Sequence, residues 1–251
     1  MNSLNAIRPG PTSVAATWAL TRLFLGQLVT RSRIAVLGAL GLMVALLGLV
    51  ARTADDPFDA EAGIIVLLGL AIVVPIITLV FASATLGEMR SENTLVYLWL
   101  RPIPRWSIAA AASAATVAVT APLSVAALVL SAVLSGEMSL IVPAIVAGII
   151  AVVGYTGLFV TLGAGMNRGF LVGLGFIIVW EFLISRATEG FARLSVLGYS
   201  SSVVQHLTDI ELEGGGALGR FGFTSSIIVP VGILVVGCAL TTWLLARREV
   251  D

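Results

Sequence analysis

The chain carries six strongly apolar runs, residues 34–51, 62–87, 106–135, 140–166, 169–185 and 224–246, uncharged except for Glu181 in the fifth. None shows the two-residue alternation of a half-buried strand, and each is at least as long as a short bilayer-crossing helix, about 17 residues. Pro75 and Pro122 lie inside the second and third runs and Pro143 near the start of the fourth. In a membrane helix this is tolerable, because neighbouring helices re-satisfy the carbonyls a proline frees. The pattern predicts an all-α, polytopic membrane protein: one domain over residues 1–251 with six transmembrane helices.

The flanking segments add two features. Within residues 1–33, Val14, Trp18, Leu25 and Val29 share a helical face while Arg22, Gln27 and Arg31 lie off it, which predicts an N-terminal helix lying in the cytoplasmic interface. Residues 186–222 are too many for a turn, yet Phe191, Leu194, Val196, Leu197, Val203, Val204 and Leu207 are too apolar for a solvated linker. Short outer helices at the membrane surface are expected there before the last span, followed by a flexible break at Glu213-Gly214-Gly215-Gly216.

Composition removes whole classes of chemistry. The chain is 58% hydrophobic and 11% charged, where a soluble domain is about a quarter charged, so no soluble catalytic domain fits beside the spans. All 14 basic residues are arginine; without lysine there is no phosphate-binding loop, Schiff-base lysine or Ser-Lys dyad. His206 and Cys238 are the lone residues of their types, which excludes a bis-His haem, a thiolate zinc site or a disulfide framework within one chain. No cofactor and no metal are therefore expected in this chain. Nucleic acid is not expected as a partner.

The charges are segregated along the predicted topology. With the N-terminus inside, ten arginines face the cytoplasm and four (Arg52, Arg186, Arg193 and Arg220) face outward, while ten of the 14 acids lie outside or near the outer face. By the positive-inside rule both termini are expected in the cytoplasm. The first apolar run begins behind four arginines, so no cleavable signal peptide is expected. A lysine-free, Ala- and Gly-rich composition points to a bacterium of high genomic GC content, with the protein in its plasma (inner) membrane.

Two places carry candidate chemistry. The segment 88–105 combines Glu88, Arg90 and Glu92 with an amphipathic, aromatic stretch from Leu95 to Leu100 and ends in Arg101-Pro102-Ile103-Pro104-Arg105, where prolines stiffen the backbone. It has the make-up of a docking surface; the plainer alternative is an interfacial helix anchored by Tyr97, Trp99 and Trp106. Glu181 is the charge placed within a span. It is either a structural group that snorkels or pairs with Arg186 or a facing chain, or a group on an exit path, within reach of outer water. The run Gly198-Tyr199-Ser200-Ser201-Ser202 with His206 lacks the second glycine of a nucleophile elbow. Gly165, Gly169 and Gly173 suit close helix packing.

Residues 74–79 (Val-Pro-Ile-Ile-Thr-Leu), the Glu-rich turn 88–92 and above all residues 94–106 (Thr-Leu-Val-Tyr-Leu-Trp-Leu-Arg-Pro-Ile-Pro-Arg-Trp) resemble the signature of ABC exporter permeases of the second type. Thr94, Arg101, Pro102 and Arg105 match that pattern directly. The family usually has a Glu nearer Thr94, a Gly where Asn93 stands, and a Lys near Ala112. The resemblance implies the membrane-spanning permease subunit of an ATP-driven exporter, paired with a second permease copy, a homodimer in preference to a heterodimer. It implies that Glu88, Arg90, Glu92, Thr94, Leu95, Arg101, Pro102 and Arg105 form the contact with separate cytoplasmic ABC ATPase subunits. Those partners would carry ATP and Mg, and this chain would be no enzyme. The rivals are an ATP-independent secondary carrier or channel, which needs ionisable groups near the midplane and has only Glu181 close to qualifying, and an intramembrane hydrolase, disfavoured by the lack of paired His, Asp or Lys at membrane depth.

Overall fold

A computed structural model describes residues 13–91, 104–166, 168–184, 189–208 and 221–247, and all regular structure among them is helical. Helix α1 spans Ser13–Leu28 and α2 Arg31–Ala51. One unbroken helical rod follows, made of α3 (Pro57–Ile64), a π-helical segment π1 (Ile65–Val73) and α4 (Val74–Ser91). Helix α5 covers Arg105–Ser135, and a 3-10 turn, Met138–Leu140, leads into α6, Ile141–Gly165. Helix α7 (Gly169–Gly175) continues into a second π-helical segment, π2 (Phe176–Ile184). The short α8 (Glu189–Ala192), then α9 (Val196–Thr208) and α10 (Phe223–Arg247), complete the set.

Local chemistry places several boundaries. The Asp56 carboxylate accepts from the backbone N–H groups of Phe58 and Asp59 at 3.1 and 3.2 Å, and Pro57 occupies the first turn, a favourable helix start. The second membrane helix therefore begins at Pro57, five residues before its apolar run, and takes Asp59 and Glu61 into the rod. Gly136 closes α5 at φ 92°, a left-handed conformation that favours glycine.

Among the described residues five helical stretches are long and apolar enough to cross a membrane: Arg31–Ala51, Pro57–Gly87, Arg105–Ser135, Met138–Gly165 and Phe223–Arg247. The run predicted at 169–185 is helical through Ile184 but shorter, seven α residues followed by nine π residues. At the α-helical rise that is about 24 Å, less than the roughly 30 Å of a hydrocarbon core.

Close contacts fix the helix directions. Gly41 meets Ala127 and Gly48 meets Ser131, so α2 and α5 run parallel; Gly154 meets Pro230 and Gly157 meets Ile233 and Leu234, so α6 and α10 do too. Gly69 meets Leu128 whereas Thr85 meets Thr116, so the rod from π1 to α4 runs against α5. Gly163 lies against Ala82 and Ser83, and Gly148 against Leu128, which aligns α6 with that rod. Helix α6 lies centrally and packs on α4, α5, α9 and α10. At the α2–α5 and α6–α10 contacts backbone approaches backbone: a Cβ on Gly48 would strike the Ser131 carbonyl, and one on Gly237 the Gly157 carbonyl.

The buried hydroxyls suit an interior with no water to bond. Thr78, Thr85, Thr116 and Thr120 each donate to the carbonyl four residues back at 2.8–2.9 Å, so each polar group is satisfied within its own helix. Thr161 also reaches the Gly237 carbonyl at 3.0 Å across the α6–α10 contact. Outward faces are apolar as well, with Leu42, Met43 and Leu46 on α2 and Ile228, Val231 and Val235 on α10 exposed. Apolar inside and out is the surface of a protein bathed in lipid.

Candidate functional site

The parallel and antiparallel relations sort the charges to two ends. One end gathers the starts of α2 and α5 and the close of α6 and α10, with Arg31, Arg33, Arg105, Arg168 and Arg247. The opposite end holds Arg52 with Asp55, Asp56, Asp59, Glu61 and Glu137. The molecule thus has a basic end and an acidic end.

At the basic end, α4 delivers the chain into the segment expected to dock a partner and α5 receives it. Glu88 and Arg90 stand on the last turns of α4. Arg105 is the first residue of α5 and half-buried. Glu92, Thr94, Leu95, Arg101 and Pro102 lie outside the described residues. Beside this opening α1 packs along α5 and α4, burying Ala16, Leu20, Phe24 and Leu28 at four-residue spacing. Val14, Trp18 and Val29, the face expected in the interface, are exposed, Trp18 by 65%. The helix therefore has two apolar faces, one for the bundle and one for its surroundings. The Arg22 guanidinium stands 5.6 Å over the Trp18 ring, and these two residues with Thr21 and Leu25 line an open cleft of about 310 Å³.

Deeper in the bundle, beside the middle of α6, Glu181 is fully buried. Its carboxylate accepts hydrogen bonds from the Ser195 hydroxyl and from the backbone N–H groups of Val196, at 3.1 Å, and Leu197, at 3.4 Å. Val196 and Leu197 open α9, so Glu181 supplies acceptors that the first turn of a helix lacks, and its charge lies at the positive end of that helix. The Tyr155 phenol neighbours the same carboxyl, and Trp180 donates to the Leu194 carbonyl at 3.3 Å. Here the structure differs from the expectation of a Glu181 shallow enough to meet outer water; Arg186, its expected partner, lies outside the described residues.

Helix α9 differs from its expectation too. Every residue from Val196 to Gln205 is buried, so α9 is no surface helix; it is inserted against α6, α10 and π1. Its serines make this possible. Ser200, Ser201 and Ser202 donate to the carbonyls of Leu197, Gly198 and Gly198 within the helix, and the Ser202 oxygen accepts from the Phe221 N–H at 3.1 Å. His206 Nδ1 lies 2.8 Å from the Ser202 carbonyl oxygen. The Gly-Tyr-Ser-Ser-Ser motif is thereby used in packing one helix into the bundle.

Glu61 escaped the reading of the sequence, which placed it outside a span. It is fully buried on α3, and among the described residues neither carboxyl oxygen has a hydrogen-bond partner. The signal for it was the Asp56-Pro57 helix start, which puts Glu61 more than one turn inside the rod. Compared with known proteins, the chain matches no family model and no curated protein.

Proposed function

We propose that this chain is the membrane-spanning permease of an ATP-driven exporter: six passes, both termini cytoplasmic in a bacterial inner membrane, and two copies together enclosing a path. Separate ABC ATPase subunits bind beneath and carry the ATP and Mg chemistry. The observation that carries this reading is the basic end, where α4 and α5 bracket the segment 92–103 beside α1. An arginine-rich end is the cytoplasmic one by the positive-inside rule, and that is where a soluble ATPase would meet the signature-like residues Thr94, Arg101, Pro102 and Arg105. ATP binding would bias the permease between conformations through contacts that differ between them. The short helical stretch 169–184 would complete the sixth pass with α8 and α9 packed where it falls short.

The test is copurification. The tagged protein, expressed with its genomic neighbours and extracted gently, is expected to bring down an ATPase carrying a phosphate-binding loop, with hydrolysis that responds to added lipid or amphipathic cargo. Transport by the purified chain alone, driven by an ion gradient, would instead establish the ATP-independent carrier. Glu61, buried and without a hydrogen-bond partner among the described residues, favours that second reading, since ion-coupled carriers place ionisable groups within the membrane.

A further inference from the structure

The environment of Glu61 contrasts with that of Glu181. Glu181 is met by three donors. The polar group beside Glu61 is the Ser131 hydroxyl of α5, but that hydroxyl is hydrogen-bonded to the Val44 carbonyl oxygen of α2 at 3.1 Å. Its one hydrogen is committed there, and neither Glu61 carboxyl oxygen has a hydrogen-bond partner among the described residues. The charge felt most at Glu61 is Glu137, of its own sign. Asp59 on the same helix and Arg52 at the end of α2 are both exposed. A buried carboxylate with no hydrogen-bond donor and a like charge for a neighbour is costly unless a positive charge sits beside it.

The donor set says which positive charge fits. Carboxylate and hydroxyl oxygens, with no nitrogen or sulfur, suit hard cations. One buried carboxylate balances one positive charge, whereas a divalent ion would leave a net charge in the interior. The exposed Asp55, Asp56 and Asp59 on the same end concentrate cations from the adjoining water. We propose that Glu61 and Ser131 form a binding site for a small monovalent cation, an alkali ion or a proton, taken from the acidic end of the bundle. With an alkali ion, Glu61 and Ser131 oxygens are both ligands; with a proton, the Glu61 acid O–H donates to the Ser131 oxygen. Either way the cation ties α3 to the α2–α5 pair. The site stands whether the chain is an exporter subunit or a carrier, and it does not involve the ATPase.

The experiment is thermal unfolding of the full chain in lipid nanodiscs, with NaCl or KCl replaced by choline chloride at constant ionic strength, and with the choline series repeated from pH 5 to 8. The parent is expected to gain stability saturably with Na⁺ or K⁺ over choline if the cation is an alkali ion, or with falling pH in choline if it is a proton. Glu61→Gln removes the charge at constant size and abolishes the response. Ser131→Ala raises the concentration needed for half the response roughly tenfold or more, and Asp59→Asn, which only thins the surrounding charge, keeps a saturable response and shifts it far less. Unfolding of the parent that is the same in choline and alkali salts and also unchanged from pH 5 to 8 overturns the proposal. So does a parent-like response in Glu61→Gln or, should that variant fail to fold, in Ser131→Ala. ATPase copurification measured on the same samples reports separately on the exporter reading.

Discussion

The Ser195 hydroxyl donates to the Glu181 carboxylate in the buried interior of the bundle, joining π2 to the residue that precedes α9. A side chain from one membrane segment thus begins the helix of another. Replacing Glu181 with Gln keeps the volume, leaves one acceptor oxygen for three donors and removes the charge opposite the helix terminus. A loss of about 1.5–3 kcal/mol is expected, the range for a hydrogen bond to a charged group, against about 1 kcal/mol for Ser195→Ala. In a Cys238→Ser background, a cysteine at Ser201 should be shielded from a thiol reagent in the parent and react faster in the Glu181→Gln form. Unchanged unfolding and labelling with an altered spectrum of transported compounds would assign Glu181 to the exit path instead.

Glycine content alone does not identify the contacts that matter, and two glycines on α10 separate the cases. A Cβ at Gly237 would strike the Gly157 backbone, whereas one at Gly232 meets nothing within 4 Å. Gly237→Ala is therefore expected to force α6 and α10 apart and break the Thr161–Gly237 bond, costing about 1–3 kcal/mol. Gly232→Ala is expected to be neutral or stabilising by up to about 1 kcal/mol. Unfolding midpoints of the two variants, measured side by side in one detergent, decide this; equal midpoints would mean that the α6–α10 approach is looser than the structure has it.

Coupling through the basic end predicts two distinguishable defects. Arg105→Glu inverts a charge at the start of α5 and is expected to weaken ATPase copurification, since the partner group it met is left facing repulsion. Pro102→Gly loosens the backbone while leaving every contact group in place, so the complex should assemble while ATP hydrolysis no longer responds to substrate. Parent-like binding, hydrolysis and export in both variants would reduce residues 88–105 to a membrane anchor.

Sidedness is open to chemical labelling. With Cys238 replaced, cysteines at Asp59, Glu137 and Glu211 are expected to react with an impermeant thiol reagent added to intact cells. Asp59 is exposed and Glu137 half-buried at the acidic end; Glu211 lies outside the described residues. Labelling of Glu137 only after the cells are opened would invert the topology.

Much of the helical plan was legible because lipid imposes a coarse rule: long uncharged runs become helices, as they do at 34–51, 106–135 and 224–246. The rule failed where a different force set the boundary. Charge at Asp59 and Glu61 pushed the second run's start to residue 62, while the Asp56 cap and Pro57 began the helix earlier. The apolar face of α1 was legible, but the buried one was hidden, because both sides of the helix are apolar and only packing on α5 distinguishes them. The burial of α9 was illegible for a similar reason: its serines read as solvent-facing until their hydroxyls are seen bonded back to their own helix. Glu181 stood out as a charge in an apolar run, but its partners lie 14 to 16 residues along the chain, a separation no local pattern encodes.

The two π-helical segments lie against one another, π1 in the rod that carries Glu61 and π2 containing Glu181. A π turn holds one more residue than an α turn, so each is a reservoir of helical phase. Returning one surplus residue to α geometry would swing everything beyond it by about 100° around the axis, with the α-helical stretches on either side left whole. At π1 such a rotation would carry the α3 turn bearing Glu61 away from Ser131 while α4 kept its footing. At π2 it would take Glu181 off the start of α9. The helical phase of each segment therefore sets which neighbours these two carboxylates face.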